Sequence, residues 1–106
     1  MGLRTRHEAV AGIRVVSLSG DLDLGTVPVL VDSLTKAVVA TESVIAIDLD
    51  GAGVPDENVL GLLVGAVARA ADSRRRMVFV SNEVTTIERL GRHSLPVVAS
   101  LAEIEP

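Results

Sequence analysis

Cysteine, tryptophan and tyrosine are absent from this 106-residue sequence, and Phe79 is its only aromatic residue. Without thiols there are no disulfides, no thiolate metal sites and no cysteine nucleophile, a pattern that fits a reducing compartment. With one ring, the chain lacks the stacking platform that single strands and RNA require. Positive charge is also scarce: ten Lys+Arg against 14 Asp+Glu give a formal charge of −4. That is the wrong sign for a phosphate-backbone binder, so no nucleic-acid partner is expected. Long hydrophobic runs are missing too. The longest, Val59 to Ala68, stops at Arg69, well short of the roughly 20 residues that cross a bilayer. Arg4 and Arg6 stand near the N-terminus without the apolar run of a signal peptide. The expectation is a soluble, cytoplasmic protein with no membrane partner.

What the chain does have is aliphatic surface. Hydrophobic residues make up 48% of it and the mean hydropathy is +0.46, which excludes disorder for most of the length. The size fits one core, and residues 1–106 are expected to form a single domain. Ile13 to Leu18 is a β-branched run ending at Ser19-Gly20, as a strand running into a turn would. Leu3 to Val10 is its expected hairpin partner across Ala11-Gly12. A helix starts near Thr26 with Pro28 in its first turn, where a missing N–H costs nothing. Its apolar face is Val27, Leu30, Val31, Leu34 and Val38, with Asp32, Ser33 and Lys36 off it.

Val44 to Leu49 is nearly unbroken apolar sequence, as in a strand buried on both faces. Leu60, Leu63, Val64, Val67 and Ala71 mark a second amphipathic helix, and Arg74-Arg75-Arg76 a solvated end where the dipole favours cations. Met77 to Val80 is another buried strand. Asn82 is placed to cap a third helix that Gly91 would close. Pro96 to Val98 gives an edge strand, and Leu101 to Glu105 a last helical turn. Strands alternating with helices make the fold α/β, a mixed but mainly parallel sheet of four or five strands carrying about four helices.

Several strings invite chemistry. Asp48-Leu49-Asp50-Gly51 at a strand end, followed by Met77 to Asn82, resembles the first two motifs of haloacid-dehalogenase-type phosphatases. Asp48 would be the nucleophile there. Lys36, the only lysine, precedes both motifs, and no acidic pair follows Ser81 to hold the metal ion that phosphoryl transfer uses. Gly51-Ala52-Gly53 fails as a dinucleotide fingerprint, because Asp56 stands where the third glycine belongs and would repel a pyrophosphate. His7 and His93 lack paired-ligand spacing, and His93 is read as part of a solvated turn. There is no Gly-x-Ser-x-Gly elbow. No catalytic residue, metal or cofactor is therefore assigned.

Two acidic clusters in turns remain: Asp21 with Asp23, and Asp50 through Asp56-Glu57-Asn58. The second lies where carboxylates suit a helix N-terminus. Gly20-Asp21-Leu22-Asp23-Leu24, then Pro28 and an amphipathic helix, resembles the Gly-Glu-Leu-Asp segment of STAS domains. More specifically it is similar to the bacterial anti-sigma factor antagonists. Ala46-Ile47-Asp48-Leu49, followed by Gly51 and Asp56, matches that family's Asp-Leu-Ser-Gly … Asp-Ser-Ser-Gly-Leu stretch in order and spacing. Leu60 to Leu63, the strand Met77 to Val80 and Leu90-Gly91 continue the match.

The resemblance implies a binding module rather than an enzyme. It would dock onto an anti-sigma factor with a histidine-kinase-like ATPase fold and so free a sigma factor. In the family that kinase phosphorylates the serine after the motif Asp. Carried over by position, Asp56 is the motif Asp, Glu57 replaces the phospho-acceptor, Asn58 the second serine and Val59 the glycine. Glu57 has no hydroxyl to phosphorylate. Either it imitates a phosphoserine and locks docking off, or the partner meets it with a basic residue and docking is constitutive. Val59 adds bulk where the family leaves the helix start open.

The expected partner-binding residues are Asp21, Asp23, Asp56, Glu57 and Asn58, with Leu60 as an apolar contact. Ser17, Ser19, Thr26 and Ser81 are the other hydroxyls through which regulation would survive. A second reading is a STAS module of a transporter or stress-signalling complex. The edge strand near Pro96 would permit a homodimer.

Overall fold

The β-branched runs Ile13 to Leu18, Val44 to Leu49 and Met77 to Val80 become strands of one five-stranded sheet in the order β1-β2-β3-β4-β5. The computed structural model describes residues 2–106. The strands are β1 (Leu3–Val10), β2 (Ile13–Gly20), β3 (Val44–Ala52), β4 (Arg76–Val80) and β5 (Val97–Val98). β1 pairs antiparallel with β2, and β2, β3, β4 and β5 are all parallel. The expected hairpin is present. Ala11 and Gly12 both take positive φ, 51° and 80°, the sign pattern of a two-residue turn that matches strand twist. β3 runs past the expected Leu49 because β2 still offers it partners there: Ser19 faces Gly51 and Gly20 faces Ala52.

Three α-helices occur among the described residues, α1 (Val27–Val38), α2 (Glu57–Asp72) and α3 (Val84–Arg92), where about four were expected. The last turn stays a 3-10 turn at Leu101–Glu103. Its Glu103 carboxylate accepts from the Ala99 and Ser100 amides. Ile104 then goes extended, with φ −99° and ψ 124°, which seats it on the sheet and ends the helical path.

Both helix faces are rotated slightly from the expected stripes. On α1, Ser33 is buried and Val31 is partly exposed, because the Ser33 hydroxyl finds a partner in His7 Nε2 at 2.7 Å. On α2 the buried stripe is Val59, Leu60, Leu63, Ala66 and Ala70, and Val64 faces out. The alanines let the helix lie close to the sheet. The third helix also starts and stops differently. Glu83, not Asn82, caps it by accepting from the Thr85 amide at 3.1 Å. Gly91 lies inside the helix and Ser94 carries the positive φ of 57°. The Leu95 and Ser94 amides then reach back to the Leu90 and Gly91 carbonyls, a Schellman end in which Leu95 and Leu90 join the core. Arg74 and Arg75 close α2 in the same way on Ala71 and Ala70.

The main core lies between the sheet and the helices. Phe79 sits in it fully buried, with Val16, Leu18, Ile45 and Ile47 beneath and Leu30, Leu34, Leu60 and Leu63 above. Each such side chain contributes about 1.5–3 kcal/mol on leaving water. The opposite sheet face carries a second apolar cluster of Ile13, Val15, Val44, Ala46, Val78 and Val80, covered by Ile104.

Candidate functional site

Parallel pairing of β2, β3 and β4 places the turns after them along one edge of the sheet, and both acidic clusters lie in those turns. The Gly53 amide donates to the Gly20 carbonyl at 2.7 Å, and the Asp56 amide to the Leu22 carbonyl at 3.3 Å. The β2–α1 turn and the β3–α2 turn are therefore tied side by side. Gly20 is required at this join: its φ is +114°, and a Cβ would lie 2.1 Å from the Gly2 carbonyl oxygen. Leu22 points inward and is buried, leaving Asp23 outside and Asp21 half-buried. Thr26 fixes the turn: its hydroxyl donates to the Asp21 carbonyl at 2.8 Å and accepts from the Asp23 amide at 3.2 Å.

On the neighbouring turn Asp56 caps α2, its carboxylate accepting from the Val59 amide at 2.9 Å, which satisfies a donor the helix cannot. Glu57 and Asn58 follow, both exposed. Asp21, Asp23, Asp56, Glu57 and Asn58 thus share one edge.

Leu60 does not belong with them. It is fully buried in the main core, because it lies on the sheet-facing side of α2, so it cannot be the expected apolar contact. Val59 is fully buried as well, so its bulk points into the protein and leaves the helix start open. The apolar groups actually exposed on these turns are Leu24 and Val54.

The sequence analysis did not place the basic groups that stand beside Glu57. His93 Nε2 lies 3.4 Å from one Glu57 carboxylate oxygen, and Arg92 lies 3.9 Å from the other. His93 sits in an exposed turn, as expected, and that turn lies against Glu57. Arg89 donates to the Pro55 carbonyl at 2.9 Å, bracing the loop that delivers Asp56. The only advance signal was a pair of arginines three residues apart in the last turn of a helix, more than 30 positions from the residues they meet.

Asp48 and Asp50 serve the backbone. Asp48 accepts from the Asp50 amide at 3.0 Å. Asp50 accepts from the amide and side chain of Asn82 at 2.7 and 3.1 Å, which is why Asn82 is not a helix cap. Of the other hydroxyls, Thr26 and Ser81 are buried, whereas Ser17 is half-buried and Ser19 exposed. No helix among the described residues is long and apolar enough to cross a membrane.

A family model for the STAS domain matches residues 5–101. Among solved structures, an anti-sigma factor antagonist from Mycobacterium paratuberculosis superposes with a TM-score of 0.83 at 21% identity, covering 95% of this chain and 89% of that one. The anti-sigma factor antagonist SpoIIAA in its unphosphorylated form gives a TM-score of 0.75 at 18% identity, over 94% of this chain and 91% of that one. At such identities the likeness is one of fold. No curated protein matches the sequence.

Proposed function

Because the chain belongs to the STAS-domain family, we propose that it is a non-enzymatic regulator that antagonises an anti-sigma factor. The partner in this reading is an anti-sigma factor of histidine-kinase-like ATPase fold, whose capture releases a sigma factor. Docking uses Asp21, Asp23, Asp56, Glu57 and Asn58, with Leu24 and Val54 as the apolar contacts. The observation that carries the reading is the tie between the two acidic turns at the start of α2, on a fold that anti-sigma factor antagonists share.

Glu57 stands where the family has its phospho-acceptor. A phosphoserine would bring roughly 1.5 to 2 negative charges to the helix start. The carboxylate brings one, at a position the helix dipole favours and already faced by Arg92 and His93. This chain is therefore read as permanently able to dock, not as a locked phosphomimic.

The test is a pull-down from the source organism's lysate with wild type, Glu57→Ser and Glu57→Lys in parallel, bound proteins being identified by mass spectrometry. Wild type and the serine variant are expected to recover a kinase-like anti-sigma factor, and the lysine variant to lose it. Capture by the serine variant alone would make Glu57 a phosphomimic. Recovery of transporter or stress-complex subunits instead would remove the sigma-factor role and leave the family assignment standing.

A further inference from the structure

β1 is the long outer edge of the sheet, eight residues from Leu3 to Val10, whereas the opposite edge, β5, has two. Two contacts fix which of its backbone groups face outward. The Asp21 amide donates to the Gly2 carbonyl at 2.9 Å, and Val10 pairs with Ile13 across the two-residue turn. Gly2 and Val10 therefore turn their N–H and C=O groups towards β2, and Arg4, Arg6 and Glu8 do the same. Leu3, Thr5, His7 and Ala9 turn theirs away from it. Among the described residues no hydrogen bond reaches these outward groups. Such a row is a template for another strand.

The side chains restrict which strand fits. Arg4, Arg6, Glu8 and Val10 share the face turned from the helices, since Leu3 joins the helix-side core and His7 bonds to Ser33 of α1. Charges on an edge oppose pairing, and for two antiparallel copies of β1 they oppose every well-overlapped register but one. Outward groups meet only when odd-numbered residues pair with odd-numbered ones. Centred on Thr5, such a pairing sets Arg4 against Arg6. Centred on Arg6 or on Glu8, it sets that residue against its own copy. Centred on His7, it sets Arg6 against Glu8 twice over and Arg4 against Val10, with no like charges opposed.

We infer that β1 joins two copies of this chain antiparallel about a two-fold axis at His7, with Arg6 of each opposite Glu8 of the other. Thr5 with Ala9, and His7 with His7, then exchange backbone hydrogen bonds, and the sheet runs on from one copy into the next. Within one chain Arg6 and Glu8 make only a loose 3.8 Å contact and both side chains reach solvent, so each can turn to the second copy. Val10, 40% exposed, gains cover from the Arg4 stem. On the helix side Thr5 and Ala9 are small and exposed. Burial holds His7 below its ordinary 6.5, so the ring meets its copy uncharged at neutral pH. Beside it on α1, Asp32 and Lys36 are paired at 3.0 Å and add no net charge to the join. Asp21, Asp23, Asp56, Glu57 and Asn58 all lie off β1, so the inference does not depend on the proposed function.

The experiment is sedimentation equilibrium of wild type and charge variants up to roughly 1 mM, with amide hydrogen exchange read residue by residue. Wild type is expected to show a monomer–dimer equilibrium. The Thr5, His7 and Ala9 amides should gain protection as concentration rises, while those of Arg6 and Glu8, already turned to β2, do not change. Arg6→Glu and Glu8→Arg should each weaken the dimer by about tenfold or more, since each turns two attractions into two repulsions. An equimolar mixture of these two variants should restore association as a heterodimer, and so should the double exchange Arg6→Glu/Glu8→Arg. Because the altered side chains reach solvent, each variant should melt close to wild type. A chain that stays monomeric throughout, a dimer indifferent to both single reversals, or variants that fail to associate on mixing overturn the pairing. Protection gained at Val97 and Val98 instead places association on β5 and overturns it as well.

Discussion

The two faces of the sheet start from the same strands and end differently. Towards the helices, Val16, Leu18, Ile45, Ile47 and Phe79 meet a continuous roof of three helices. On the other face, Ile13, Val15, Ala46 and Val78 are covered by the short tail that carries Ile104. Beyond the tail's reach that face turns polar, at Ser17, Ser19 and Asp48. The difference teaches that an unbroken apolar run reports burial of both faces but not the thickness of the cover. A helix roof excludes water over the whole strand; a tail does so only where it lies.

Truncating each cover sharpens the contrast. Phe79→Ala should destabilise by about 3–5 kcal/mol, because a fully enclosed site cannot collapse onto the void. Ile104→Ala should cost about 2 kcal/mol, at the low end for a buried aliphatic, since a terminal segment can settle. Urea unfolding measures both, and equal losses would break the distinction between the faces. Glu57→Lys, on the exposed rim, should change stability by no more than about 0.5 kcal/mol while removing partner capture.

The smallest effect is the pH dependence of the helix-covered face. Partial burial, then the nearby Arg14 and Lys36 charges, hold His7 below its ordinary 6.5. The folded protein thus prefers the neutral ring, and stability falls as pH drops from 6.5 through the lowered value. Glu42 is likewise held below 4.5, chiefly by its hydrogen bond from Arg14 at 2.7 Å. Its contribution is present above 4.5 and is lost as pH falls through the lowered value. His7→Asn should flatten the first slope and Glu42→Gln the second, as read from urea midpoints across pH. A slope unchanged in both variants would mean that other groups carry it.

Much of this was legible in the sequence because it is written locally. The alternation of strands and helices, the hairpin at Ala11-Gly12 and the cap at Asp56 depend on residues a few positions apart. The faces of α1 and α2 were read correctly at Leu30, Leu34, Leu60 and Leu63 but not at their margins, since hydrophobicity alone does not say that Ser33 has His7 for a partner or that Ala66 and Ala70 form the close-packed side. Asn82 and Gly91 look like helix punctuation by composition. Asn82 is drawn instead to Asp50, and the Leu90–Leu95 closure puts the left-handed residue at Ser94.

The candidate site shows the same division. Its acidic residues could be picked out because they sit in turns, and the resemblance to a family ordered them. Periodicity had already put Leu60 on the apolar stripe of α2, which packs on the sheet; it was misplaced only as a partner contact, because closeness in sequence to Glu57 and Asn58 does not put it on their side of the helix. The sequence by itself determined the elements, their order and the chemistry available at each turn. Only the tertiary structure decided that the two acidic turns are tied together, that Arg92 and His93 answer Glu57, and that Asp50 holds Asn82. Those contacts join residues from different elements, and their geometry is set by how the helices and strands pack rather than by any local preference.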